Sequence, residues 1–276
     1  MPVTESLLCQ YGAFRWITSE ISGKSFGIEC YGIRNATVEM GEPIDIRVKV
    51  MVVLGRMRKA WCKRRPEGAI VRKPITCDIL KRFLACLSKT DYDSQCLRAL
   101  LCFAKFGLLR VSEYTYGKFG NCPTVGNIAI VPSLEEARFL VYRFTKSKTN
   151  QLGRKERVVC ICTCPSPCAV HEVIDMLGFR KAVRASDPLF WLKDGSTPSD
   201  SDVRHAIKGL SSLCGLKKCA FSSHQLRSGG VVDYLAAGVP DSIVQECARW
   251  KNLNSMVPYK KLSDETLASI LRKRVK

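Results

Sequence analysis

Ser223-His224-Gln225-Leu226-Arg227-Ser228-Gly229-Gly230, followed by Arg249-Trp250-Lys251-Asn252-Leu253-Asn254-Ser255-Met256-Val257-Pro258-Tyr259, is the stretch that decides how this chain is read. It sets a His and an Arg three residues apart, then a Trp, then a Tyr nine residues beyond that Trp. Residues three apart on a helix share a face, so His224 and Arg227 can meet one anion together. With a tyrosine hydroxyl downstream, these are the groups needed to attack a phosphodiester. Each has a plainer reading alone: His224 as a satisfied core histidine, Trp250 as core, Tyr259 as a surface aromatic. Only three His occur in 276 residues, which makes an idle His in this pattern less expected.

Composition bounds the partner. Forty-four Lys plus Arg against 25 Asp plus Glu leave a formal charge of +19, which favours a polyanion. A merely soluble or ribosomal-type basic protein would carry the same charge. The 46% of apolar side chains can bury a sizeable core in one large domain or two. No apolar run approaches the roughly 18 residues of a spanning helix, and the start of the chain lacks the pattern of a signal peptide, so neither membrane association nor secretion is expected.

Fifteen cysteines scattered through apolar, helix-like segments (Cys86, Cys96, Cys102, Cys214, Cys247) read as free thiols of a reducing compartment, the nucleus in a eukaryote and the cytoplasm otherwise. The local exception is Cys160-Ile161-Cys162-Thr163-Cys164-Pro165-Ser166-Pro167-Cys168, with His171 close behind. Such soft ligands suit zinc. A second paired knuckle is missing, however, and the prolines point to an irregular turn. Reduced thiols at a strand end are therefore preferred over a metal held by Cys160, Cys162, Cys164, Cys168 and His171.

From the N-terminus, residues 1 to about 55 read as helical. Tyr11, Phe14, Trp16 and Ile17 form one apolar face, and Ile28, Tyr31, Ile33 and Val38 a second, which Gly41-Glu42-Pro43 stops. Ile46 to Leu54 is ambiguous between strand and buried helix, with the basic residues beyond it favouring helix. The run RMRKAWCKRRPEGAIVRK, Arg56 to Lys73, carries the breakers Pro66 and Gly68. It suggests a helical N-terminal domain over 1–58, a basic linker over 59–73 and a larger domain over 74–276. A charge run is usually a solvated face, but here it can equally lie along a DNA backbone.

Thr76 caps a helix from Ile79 to Leu87, and Asp93 or Ser94 caps the next, which runs through Leu97, Leu100 and Phe103 into Gly107. Arg110 follows. An Arg at the end of a buried aliphatic helix needs an anion, or a salt bridge to an acid such as Glu113. The period then changes: Ile128–Val131, Arg138–Phe144 and Arg157–Ile161 read as three strands. Between the last two lies the basic hairpin tip Thr145-Lys146-Ser147-Lys148-Thr149 to Lys155. Helices from about Val170 to Gly178 and from Val203 to Cys214 follow, with a short strand or turn at Pro188–Trp191 and a Ser/Asp-rich cap around Thr197–Asp202. The fold class expected is mainly α with a small antiparallel β-sheet.

Gly107-Leu108-Leu109-Arg110-Val111-Ser112-Glu113, Ser147-Lys148-Thr149, His224-Gln225-Leu226-Arg227 and Trp250 followed by Tyr259 resemble, in order and spacing, the motifs of tyrosine recombinases of the phage-integrase superfamily. The tail from Trp250 to Tyr259 looks Cre-like. Gly32-Ile33-Arg34-Asn35 to Gly41-Glu42-Pro43, Leu54-Gly55-Arg56 and the Cys-Pro turn look more like recombinases of eukaryotic mobile elements of the DIRS or Crypton type. The resemblance implies a catalytic domain preceded by a short helical core-binding-like domain, double-stranded DNA as partner, a tetramer on two DNA sites and no cofactor. It implies Tyr259 as nucleophile, His224 as base and Arg110 and Arg227 as clamps on the phosphate. Lys148 is then the leaving-group acid, with Lys146 and Lys155 as competitors, and Trp250 donates its indole N–H.

Two other classes fit less well: a catalytically silent recombinase-derived DNA-binding protein, and a type IB topoisomerase-like enzyme. Pro258 disfavours helix at Val257, so Tyr259 is expected at a helix start or on a mobile loop.

Overall fold

The computed structural model describes residues 4–18, 23–41, 52–64, 73–116, 123–144, 156–164, 167–217 and 221–260. The chain divides into two compact units, Met1–Val71 and Arg72–Lys276. The first contains α1 (Glu5–Thr18), α2 (Gly23–Glu39) and α3 (Val52–Arg64). Their shared core is Leu8, Phe26, Cys30, Leu54 and Trp61. The Phe26 ring stacks on Trp61 at 4.6 Å and Trp16 meets Trp61 edge-on at 5.1 Å. Arg15 pairs with Glu29 at 2.7 Å, and the Glu5 carboxylate accepts the Leu54 amide at 3.0 Å.

The apolar faces differ from those the sequence suggests. Phe14 and Ile17 are exposed, and so are Ile28 and Tyr31. The buried stripes run Leu8, Gly12, Trp16 on α1 and Phe26, Cys30, Ile33, Thr37 on α2, at helical spacing. A glycine and a threonine carry part of each stripe, and hydropathy gives them no weight. The third helix also takes in residues 59–64, the first part of the expected linker, because Trp61 is buried in the core while Arg58 and Lys59 stay on the exposed side.

The second unit is mainly helical with a small antiparallel sheet. Its elements are α4 (Cys77–Ala85), α5 (Tyr92–Phe106), β1 (Ile128–Val131), β2 (Phe139–Phe144), β3 (Glu156–Ile161), α6 (Ala169–Gly178), α7 (Asp200–Leu213), α8 (His224–Ala236) and α9 (Asp241–Cys247). The strands lie in the order β1-β2-β3, with Ile128 opposite Tyr142 and Phe139 opposite Ile161. Helix α5 is buried from Gln95 to Phe106 apart from Leu97, which is half-buried. A helix apolar on every side belongs inside a core, and α5 packs against both α6 and α8. Its cap is Asp91, which accepts the Ser94 amide at 2.9 Å, rather than Asp93 or Ser94. Pro188–Trp191 forms no strand beyond a bridge of Pro188 to Thr124.

Three buried polar contacts fix the helices around α5. Arg98 pairs with Glu172 of α6 at 2.6 Å, and Gln95 donates to the same carboxylate at 2.9 Å. Lys105 reaches the Ile75 carbonyl at 2.9 Å and the Asp233 carboxylate of α8. An ammonium with no exposure is tolerable only when so partnered. The Ile75 amide donates to the Gln225 carbonyl at 3.0 Å. Helix α8 approaches so closely that a Cβ on Gly229 would lie 1.8 Å from the Ile75 oxygen, and one on Gly230 2.5 Å from the Lys105 oxygen. The two glycines therefore set the depth at which α8, and with it His224 and Arg227, sits. No helix among the described residues is long and apolar enough to cross a membrane.

Candidate active site

The site is assembled where three chain turns meet: the end of α5, the start of α8 and the segment after α9. Past α5, Leu108 takes a φ of +47°, uncommon for a side chain with a Cβ. Its carbonyl accepts from both Arg227 and Arg249. A 3-10 turn over Val111–Glu113 follows, with Arg110 at its cap. The Glu113 carboxylate is buried and accepts the Arg110 amide at 2.9 Å, the Arg110 guanidinium at 2.8 Å and Arg249 Nη2 at 2.6 Å. The salt bridge that the sequence allowed for Arg110 is thus present, and one-fifth of its side chain stays accessible.

His224 and Arg227 stand in the first turn of α8. Arg227 is buried and donates to the carbonyls of Leu108 and Ala248. Burial, then the neighbouring positive charges of Arg110 and Arg249, pull its pKa down to about 9, while Glu113 and Tyr259 oppose the fall. Two guanidiniums, of Arg110 and Arg249, thus pair with one carboxylate while a third, of Arg227, lies near them, leaving a local excess of positive charge that an anion would relieve.

Helix α9 ends in a Schellman motif: the Trp250 amide donates to the Gln245 carbonyl at 3.0 Å and the Arg249 amide to Glu246 at 2.8 Å. The left-handed residue of that motif, usually glycine, is Arg249 at φ +54°. This stop sends Trp250 into the site. One ring face lies under the Arg227 guanidinium at 5.5 Å, and Tyr259 is stacked parallel to the ring at 5.4 Å. Together the two contacts add cation-π attraction to packing.

Tyr259 closes a 3-10 helix over Leu253–Tyr259 rather than starting a helix. Pro258 fits inside it because its fixed φ suits a 3-10 turn. Buried Met256 anchors that helix in a cluster with Leu108, Val231, Val244 and Ala248, against which Trp250 and Tyr259 also pack. The Tyr259 hydroxyl lies 3.4 Å from His224 Nε2. That is long for a tight hydrogen bond, yet within the range that closes when substrate binds.

The structure therefore brings together Arg110, His224, Arg227, Trp250 and Tyr259. Lys148, with Lys146 and Lys155, lies outside the described residues. Sequence reasoning missed Arg249 and treated Glu113 only as a possible partner of Arg110. The sequence signal was Arg249 beside Trp250, but its role depends on a left-handed turn that no spacing rule shows. Of the cysteine group, Cys162, Cys164, Cys168 and His171 gather in one place, and Cys160, inside β3, is not among them.

Comparison with known proteins agrees with this geometry. A search of curated proteins gave no match. Among solved structures the chain is similar to the XerH site-specific recombinase bound to palindromic difH substrate in a post-cleavage complex, with a TM-score of 0.61 and 11% identity over 99% of this chain and 71% of that one. It is similar to the Tn1549 transposon integrase in complex with a circular intermediate DNA, with a TM-score of 0.60 and 13% identity over 98% and 85%. A lambda integrase dimer bound to a COC′ core site gives 0.58 and 14% over 94% and 80%. These likenesses establish the fold. The model of the phage integrase family matches residues 74–266, and with most of its length covered the chain belongs to that family, the tyrosine recombinases.

Proposed function

We propose that this chain is a site-specific DNA recombinase or integrase of a mobile element, which cleaves and rejoins strands through a 3′-phosphotyrosyl intermediate. The observation that carries the reading is the pairing of Arg110 and Arg249 with the single carboxylate of Glu113, with the buried guanidinium of Arg227 near them and a tyrosine hydroxyl within reach of an imidazole. Such a pocket favours an anion that gains charge as it reacts.

In this reading the Tyr259 oxygen attacks the scissile phosphorus and its proton passes to His224. The bond from phosphorus to the 5′ oxygen breaks as the new P–O bond forms, and Lys148 supplies the proton that the departing 5′ oxygen takes up. Arg110 and Arg227 hold the non-bridging oxygens in the five-coordinate transition state, where planar donors match phosphate geometry. The indole N–H of Trp250 adds one more donor, and its ring keeps Arg227 and Tyr259 in register. Rejoining reverses each transfer. No nucleotide or metal takes part in these steps.

The helical N-terminal domain, 1–58 with the basic run over 59–73, acts as a core-binding-like DNA clamp before the catalytic domain over 74–276. Arg56, Arg58 and Lys59 are exposed along α3 and suit a phosphate backbone, with affinity gained from counterion release. The solved relatives are themselves DNA complexes, which supports double-stranded DNA as partner, and a tetramer on two sites would permit exchange.

The test is a nicked duplex built from the DNA flanking the gene. The chain should form a covalent adduct stable to SDS, and Tyr259→Phe should abolish it while retaining non-covalent binding. Binding without any adduct would leave a silent DNA-binding descendant. Relaxation of any supercoiled plasmid without recombination would mark a topoisomerase-like enzyme.

A further inference from the structure

The turn after β3 carries four metal-ligating groups that the strand-transfer chemistry does not use. Cys162 follows β3 directly and Cys164 stands in the turn beyond it. Cys168 caps α6 and His171 sits in its first turn, three residues on and therefore on the same helix face. The ligand atoms of these four residues all lie within 4.8 Å of one another. His171 Nδ1 is 3.1 Å from Cys164 Sγ, 3.5 Å from Cys168 Sγ and 3.6 Å from Cys162 Sγ. A tetrahedral ion with bonds of about 2.3 Å to sulfur and 2.0–2.1 Å to nitrogen requires edges of roughly 3.5–3.8 Å. The edges to Cys162 and Cys168 are of that size, and the one to Cys164, at 3.1 Å, is shorter.

We propose that Cys162, Cys164, Cys168 and His171 bind one zinc ion as a closed Cys3His structural site, pinning the end of β3 to the first turn of α6. On binding, three thiol protons leave to solvent, and the ion is held by three thiolates and one neutral imidazole. Soft sulfur ligands in tetrahedral array select zinc over hard cations. The surrounding loop supports the ligands: the Thr163 amide donates to Cys168 Sγ at 3.4 Å, and the Thr163 hydroxyl donates to the Pro167 carbonyl at 2.6 Å. Bonds of this kind orient a metal ligand. Cys160, inside β3, is not among the ligand atoms that gather there. Cys86 and Cys214 also approach, with sulfurs 3.7 Å apart, but among the described residues no further ligand joins them.

The site has a structural consequence for the catalytic unit. Strand β3 pairs with β2, and the segment bearing Lys148 joins those two strands, so a metal at the base of β3 would fix the sheet against α6. This inference does not depend on the recombinase reading, since its test reads metal and stability rather than strand transfer. Untagged protein purified without chelator should contain about one zinc per chain, and replacement by Co(II) should give the charge-transfer and d–d bands of a tetrahedral thiolate site. His171→Ala and Cys164→Ser should each lower zinc affinity at least about tenfold, and Cys86→Ser should leave it unchanged. Chelation should lower the melting temperature of the native protein. If a variant fails to fold, Co(II) titration of the metal-stripped native chain decides the matter. Protein isolated without metal whose Cys164 thiol reacts freely with or without added zinc would overturn the proposal, as would zinc retained undiminished in His171→Ala.

Discussion

Glycine permits close packing of α1 in one unit and of α8 in the other, but what these two helices pack against differs. In α1 of the N-terminal unit, a Cβ on Gly12 would meet the ring tip of Phe26 at 2.7 Å and the end of the Met57 side chain at 2.9 Å. In α8 of the catalytic unit, a Cβ on Gly229 would meet the Ile75 backbone at 1.8 Å. Side-chain ends can rotate away, whereas a backbone held by its own hydrogen bonds cannot. The helix that presents His224 and Arg227 is thus registered by main chain against main chain. The N-terminal helices are held by a core of five buried apolar residues around Trp61. The helix that carries His224 and Arg227 has the less forgiving contact.

The largest effect should follow from attacking that contact. Gly229→Ala should destabilise the catalytic unit by about 3 kcal/mol or more, because Ile75 would have to shift, and denaturant unfolding would measure it. A cost below about 1 kcal/mol would show that α8 can slide, and would remove the contrast between the units.

Next in size is Glu113→Gln, which leaves the backbone register intact and weakens the side-chain part of the cradle. Loss of charge-assisted bonds to Arg110 and Arg249 should cost about 1.5–3 kcal/mol and reduce adduct formation, with binding of non-specific duplex little changed. Unaltered stability and cleavage together would mean that Glu113 is not what holds the guanidiniums.

Smallest should be Gly12→Ala, within about 1 kcal/mol of the native chain, because the Met57 thioether can repack. A loss matching that of Gly229→Ala would make the two units equally rigid.

Much of the catalytic unit was legible in advance. Its three strands appear within a residue of where β-branched and aromatic residues alternate, since side-chain period and turn residues are local properties. Helix ends were less legible: Asp91 caps α5 although Asp93 and Ser94 offered the same chemistry two and three residues on. In the N-terminal unit the buried faces were misread because Gly12 and Thr37 complete them, and neither signals burial by its own hydropathy. The cysteine group was undervalued for a related reason. Its ligands come half from the turn after β3 and half from a helix start, so no single spacing rule joins them.

By itself the sequence determined the candidate site residues: a basic chain with His224 and Arg227 one helical step apart, Arg110 upstream, and Trp250 and Tyr259 at the tail. These follow from residue type, order and helical period. Only the tertiary structure decided that Arg249 joins Arg110 on Glu113, that Trp250 contacts both Arg227 and Tyr259, and that the Tyr259 hydroxyl sits 3.4 Å from His224. The physical reason is that these contacts depend on two left-handed residues, Leu108 and Arg249, and on two glycines against a backbone. Local propensity disfavours a left-handed turn at such residues, and it is the packing of distant segments that holds them there.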